Sequence, residues 1–98
     1  MQNVMIWDIA LRRKVVDDMK IKLDLIDEVK MLTVIAAKYE SDIFLTHDKY
    51  VIDATSLLGI LSLNLHNPVK IEIVEKKEGE REGFIGELRS HGFNLIDY

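Results

Sequence analysis

Ninety-eight residues, 48% of them hydrophobic and 31% charged, with one proline, no cysteine and a formal net charge of −4, describe a single domain just large enough to build its own core. The absence of cysteine excludes a disulfide framework, a thiolate zinc site, an iron–sulfur cluster and a cysteine nucleophile. No apolar stretch approaches the roughly 20 residues that cross a bilayer, and Lys and Arg scattered among a surplus of Asp and Glu give no basic footprint for nucleic acid.

Residues 1–18 stand apart from the rest of the chain. Val4, Met5, Ile6, Ile9 and Ala10 are spaced as on a short amphipathic helix, succeeded by Arg12-Arg13-Lys14 and Asp17-Asp18. We expect an N-terminal helical extension or arm here, and the main domain over residues 19–98. The opening residues carry no charge and Asp8 interrupts Met5-Ile6-Trp7, so no secretory leader is read and a cytoplasmic protein is expected.

From Met19 the pattern turns to period two: Met19, Ile21, Leu23 and Leu25 alternate with Lys20, Lys22 and Asp24, as in a strand with one wet face. Asp27-Glu28 then opens a helix whose apolar stripe runs through Val29, Leu32, Ile35, Ala36 and Tyr39. Asp42 to Leu45 and Tyr50 to Ile52 read as a hairpin joined by Thr46-His47-Asp48-Lys49. Asp53, Thr55 and Ser56 offer capping oxygens to a helix from Leu57 to Leu65, which stops near His66-Asn67-Pro68.

Val69, Ile71 and Ile73 mark a fourth strand. A charged loop around Gly79 leads into a last helix through Phe84, Ile85 and Leu88, with Gly92 as its stop and Phe93, Leu95 and Ile96 folding back. The expected architecture is α+β, two layers, of order β-α-β-β-α-β-α. Its four-stranded antiparallel sheet carries three helices on one face, because strands that alternate this regularly need only one face covered.

No catalytic template is met. There is no glycine-rich phosphate loop and no His-Glu-x-x-His, and His47, His66 and His91 are too far apart in sequence for a local metal cluster. We therefore expect no metal, no cofactor and no catalytic residue. Adjacent carboxylates such as Asp17-Asp18 and Asp27-Glu28 are read as solvated charge. The strand aromatics, Phe44 and Tyr50, flank a turn and do not form a base-stacking platform.

Two segments are more specific. Ala36-Ala37-Lys38-Tyr39-Glu40-Ser41-Asp42 enters a strand, and Ser56-Leu57-Leu58-Gly59-Ile60-Leu61-Ser62-Leu63 comes after the hairpin. Both resemble HPr, the histidine-containing phosphocarrier of the bacterial phosphoenolpyruvate-dependent sugar phosphotransferase system. Ser56, Gly59, Ser62 and Leu63 fall in register with the family's second helix. The resemblance implies an HPr-like open-faced sandwich and protein partners: a phosphotransferase component, a regulator or a kinase. It also implies that Ser56 stands where many HPr proteins are phosphorylated by a regulatory kinase, and that Leu57, Leu58 and Leu61 belong to the surface that meets partners.

HPr carries phosphate on a histidine ahead of its first helix, in a Gly-[aliphatic]-His-x-Arg-Pro-Ala loop. The corresponding stretch here, Leu23-Asp24-Leu25-Ile26-Asp27-Glu28-Val29, has no His, Arg, Pro or Gly. Asp24, Asp27 and Glu28 instead place carboxylates where a dianion would sit. The expectation is a regulatory or adaptor module that is not a phosphocarrier and not an enzyme. The alternatives are a phosphocarrier that uses an atypical residue, or an HPr fold reused for ligand binding or for oligomerisation, a homodimer included.

Overall fold

The computed structural model describes residues 5–8, 13–16 and 19–97. The chain begins with strands β1 (Met5–Asp8) and β2 (Arg13–Val16), which pair antiparallel as a two-stranded sheet, Ile6 opposite Val15 and Trp7 opposite Lys14. These strands replace the helix that the spacing of residues 1–18 predicts. Ile, Trp and Val favour the pleated strand over the helix, and pairing across the ribbon outweighs a helical spacing that only a few residues support. The other residues of the expected helix, 1–4, 9–12 and 17–18, lie outside those described.

Five further strands form one antiparallel sheet: β3 (Met19–Lys22), β4 (Asp42–His47), β5 (Tyr50–Asp53), β6 (Val69–Val74) and β7 (Asn94–Asp97), in spatial order β5-β4-β6-β3-β7. The expected sheet has four. The fifth is the segment read as folding back after Gly92: Asn94-Leu95-Ile96-Asp97 pairs along β3, Leu95 opposite Ile21. The β4–β5 turn is shorter than the four-residue connector read from sequence. Strand pairing runs to His47 and Tyr50, leaving Asp48-Lys49 to turn, with Asp48 at φ 54°, a left-handed conformation that Asp tolerates better than most residues.

The strands alternate as expected. Met19, Ile21 and Leu23, Ile43 and Leu45, and Val69 and Ile71 are buried; Lys20, Lys22, Asp42, Phe44, Thr46, Lys70 and Glu72 lie on the other face. Three helices cover the buried side: α1 (Ile26–Ala36), α2 (Leu57–Leu61) and α3 (Glu80–Ser90). Val29, Leu32 and Ile35 of α1, Ile60 of α2, and Phe84, Ile85 and Leu88 of α3 join the strand residues in one core. Each fully buried aliphatic or aromatic side chain contributes about 1.5–3 kcal/mol.

α2 ends at Leu61, earlier than the Leu65 read from sequence. Ser62 Oγ turns back to donate to the Gly59 carbonyl (2.6 Å), and Asn64 Oδ1 accepts from His66 N–H (3.1 Å), so polar side chains take over backbone partners and the helix unwinds. Leu63 then turns inward. α2 seats tightly on β5 because Gly59 has no side chain: a Cβ there would lie 2.7 Å from Ile52 Cγ2 and 2.8 Å from Ser56 Oγ.

Two glutamates of α3 clamp the far end of α1. Glu80 accepts from Ser41 N–H and Oγ, both at 2.8 Å, and from Glu40 N–H at 3.2 Å, while Ser41 Oγ also accepts from Lys76 N–H. Glu87 receives the Tyr39 hydroxyl at 2.6 Å and the Lys38 ammonium, and the Tyr39 ring meets Phe84 edge-on with centroids 5.6 Å apart. Desolvation pulls the Glu80 carboxyl upward, but hydrogen bonds from Ser41 and the Glu40 and Ser41 amides, helped by Lys77, hold it below its ordinary value. Lys38 and Tyr39 do the same for Glu87. Burial, then the Glu87 carboxylate, pushes the Tyr39 hydroxyl up to about 12.

This packing has two measurable consequences. Gly59→Ala is expected to lower stability by about 1–3 kcal/mol through overpacking, although alanine is the better helix former; a urea midpoint that stays put or rises would show that α2 can lift off β5. The clamps should also make stability depend on pH in two windows. Glu80 and Glu87 titrate below 4.5, so their contribution is complete above that value and is lost as pH falls through the folded values. That of Tyr39 is complete below pH 10 and is lost as pH rises toward about 12. Thermal melting should decline at both ends, and Glu80→Gln should flatten the acid limb; an acid limb of unchanged steepness would assign it to other carboxylates.

Candidate functional site

The turn from β3 into α1 is where the HPr resemblance would place a phosphoryl group. Leu25 occupies the N-cap with extended angles (φ −120°, ψ 145°) and has no side-chain oxygen to offer the helix. Glu28, three residues on, reaches back: its Oε1 accepts from Asp24 N–H at 2.8 Å and Leu25 N–H at 3.0 Å. This is the glutamate half of a capping box. Two amide groups just ahead of this helix are thus held by a carboxylate of the chain itself.

Lys22, the cation nearest this turn in sequence, is engaged as well. Its Nζ donates to Asp24 Oδ1 at 2.6 Å and to the Leu65 carbonyl at 3.1 Å, tying the end of β3 to the loop after α2. Asp27 lies exposed in the first turn. Asp24, Asp27 and Glu28 put negative charge around the turn, an arrangement that disfavours an incoming dianion.

At the second candidate position, Ser56 is the exposed N-cap of α2, with its Oγ accepting from Gly59 N–H at 3.2 Å. Asp53 Oδ1 accepts from Thr55 N–H (2.8 Å) and Thr55 Oγ1 (2.6 Å), so the carboxylate beside Ser56 is turned toward its own loop. Of the three leucines singled out for partner contact, Leu57 is half-buried against the core, Leu58 is 81% exposed and Leu61 is 37% exposed. α1 packs beside α2 and adds Leu25, Ile26, Met31 and Val34 to the apolar residues in water. Period-two alternation predicts Leu25 on the first strand's inward face, but that strand ends at Lys22 and the alternation stops with it.

The histidines are dispersed. His47 ends β4 with Nε2 3.6 Å from Asp48 Oδ2, His66 lies in the exposed turn after α2, and His91 caps α3 with Nε2 3.9 Å from Glu87. Among the described residues no group of three or more His, Asp or Glu is placed to hold a metal ion, and no helix is long and apolar enough to cross a membrane. On the open sheet face Phe44 stands between Asp53 and Glu72, two carboxylates that would flank any stacked base.

The Glu28 contact departs from the sequence-based expectation of solvated charge at Asp27-Glu28; the signal for it is the spacing of Glu28 three residues after the N-cap. Glu28→Ala is expected to cost about 1 kcal/mol of stability by releasing two amide groups, measurable by urea unfolding; no loss would mean that water replaces the carboxylate without penalty.

Searches among curated proteins and among solved structures gave no match. A family model described as the phosphorylation site of the HPr component of the phosphotransferase system matches residues 28–86, from the first turn of α1 into α3. That match opens at Glu28, just past the turn it closes, and takes in α1, the β4–β5 hairpin, α2 and β6. Spanning more than half of the chain and the order of elements described above, it shows that this protein belongs to the HPr family, the phosphocarriers of the phosphoenolpyruvate-dependent phosphotransferase system.

Proposed function

We propose that this protein is a regulatory or adaptor member of the HPr family that does not relay phosphate through a histidine. The observation that carries the reading is the Glu28 carboxylate seated on the Asp24 and Leu25 amides, where the family resemblance would put the phosphoryl group. The first 46 residues contain no histidine, and Asp24, Asp27 and Glu28 surround the turn. A phosphohistidine there would lack its nucleophile and meet like charge.

The partner surface in this reading is α2, with Leu58 and Leu61 outward and Leu57 anchoring the helix to the core. The partner is a protein of the phosphotransferase system, a regulator or a kinase, met in the cytoplasm where the family works. Ser56 is exposed and caps α2 through the Gly59 amide, so its hydroxyl lies within reach of a kinase and a phosphate on it would add charge beside Leu57 and Leu58. Self-association through the same leucines is the second reading, favoured by the 81% exposure of Leu58.

The test uses the full chain. With phosphoenolpyruvate and enzyme I, and an ordinary HPr as positive control, no acid-labile phosphorylation is expected; its appearance would overturn the reading in favour of an atypical carrier residue. With an HPr serine kinase and ATP, labelling that disappears in Ser56→Ala is expected, and an unlabelled wild type would remove the serine from the proposal. Sedimentation of wild type against Leu58→Ser separates the second reading: a dimer lost in the variant would assign the leucines to self-association.

A further inference from the structure

The face of the sheet opposite the helices holds a feature that neither the family resemblance nor the partner surface explains. Register places Lys20 of β3 directly opposite Lys70 of β6, with Thr46 of β4 on the other side of Lys70. The neighbours Ile21, Leu45 and Val69 are buried in the core, so Lys20, Thr46 and Lys70 form a row on the opposite face. Beside this row His47 of β4, Val51 of β5 and Asn67 from the segment before β6 line the same open, shallow cleft of about 670 Å³. That volume lies within the range of small-molecule sites.

The chemistry of the lining narrows the ligand. Directly opposed residues have Cβ atoms about 4.5–5.5 Å apart, which lets two ammonium groups close on different oxygens of one phosphate. Thr46, His47 and Asn67 add further hydrogen-bonding groups to the lining. Two carboxylates also line the cleft. Glu72 Oε1 stands 3.8 Å from Lys70 Nζ, beyond hydrogen-bonding distance, and Asp48 is 82% exposed at the rim beside His47. A ligand that is anionic throughout would be repelled by both; one with a single anionic group and hydroxyls would put the anion on the lysines and donate its hydroxyls to Glu72 and Asn67.

The geometry points to a binding site for a small hydroxylated phosphate monoester, its phosphate held between Lys20 and Lys70 on the open face of the sheet. Both lysines also engage other groups of the chain, so the phosphate joins an existing network, and a dissociation constant on the order of 1 mM is expected. This site is separate from the α1 turn and from Ser56, and it stands whether or not the protein carries phosphate on a side chain.

Two-dimensional amide NMR of the full chain at constant ionic strength tests it, with glycerol 3-phosphate, inorganic phosphate and glycerol as probes. Saturable shifts are expected at Lys20, Thr46, His47, Asn67 and Lys70, with glycerol 3-phosphate binding more tightly than inorganic phosphate and glycerol not binding. Lys20→Met and Lys70→Met, which keep the apolar stems, should each weaken glycerol 3-phosphate at least fivefold while the spectrum stays dispersed. Should one of them unfold, Thr46→Val provides the same comparison with a smaller loss. Shifts that never saturate, shifts centred on residues 24–28 or on Ser56, or saturable binding indifferent to the lysine substitutions would overturn the site.

Discussion

In the three central strands, β3, β4 and β6, buried residues alternate with more exposed ones, and the rest of the architecture hangs on that alternation. In β3, β4 and β6 the apolar members, among them Ile21, Leu45 and Val69, must all point to one side, because the three helices cover only that side. A slip of one residue in any ladder would drive Lys20, Thr46 or Lys70 into the core and put an aliphatic side chain in water, so the register is held by burial and not by backbone hydrogen bonds alone. The same register sets which residues meet on the opposite face, where it brings lysine opposite lysine.

The acidic character of the chain acquires a structural meaning in three glutamates. Glu28 closes the start of α1, Glu80 joins the turn after α1 to the start of α3, and Glu87 gathers Lys38 and Tyr39. Each accepts more than one hydrogen bond, and charge-assisted bonds of this kind are stronger than neutral ones. The chain thus uses carboxylates as fasteners at its loops. In a family whose hallmark is a bound phosphoryl group, one of those fasteners occupies the corresponding position, which links the net charge to the proposed loss of carrier function.

Much of this is legible in the residue order. Period-two runs mark β3, β4 and β6, the stripe from Val29 to Ala36 marks α1, and the pair of segments around Lys38-Tyr39 and Ser56-Gly59 marks the family. The features that escape a sequence reading do so for physical reasons. The N-terminal ribbon is short, and Val4, Met5, Ile6, Ile9 and Ala10 fit helical spacing as well as strand spacing, so only pairing with residues 13–16 decides it. β7 carries just four residues and is recognised by its neighbour β3. The Glu80–Ser41 clamp spans 39 positions, beyond the reach of any local pattern. For the candidate site, Ser56 as a cap is readable from its neighbours, whereas the lysine row depends on strand order and is not.

Gly59 couples the helical layer of the molecule to its sheet. Its bare backbone lets Ile52 of the edge strand press against α2 within the space a methyl group would need, and the Ser56 oxygen lies on the same spot. Helix start, glycine and edge strand therefore act as one rigid joint. Ile52 in turn belongs to β5, whose partner β4 carries Thr46 and His47 into the open cleft, so a side chain added at Gly59 would act on the sheet as well as on α2.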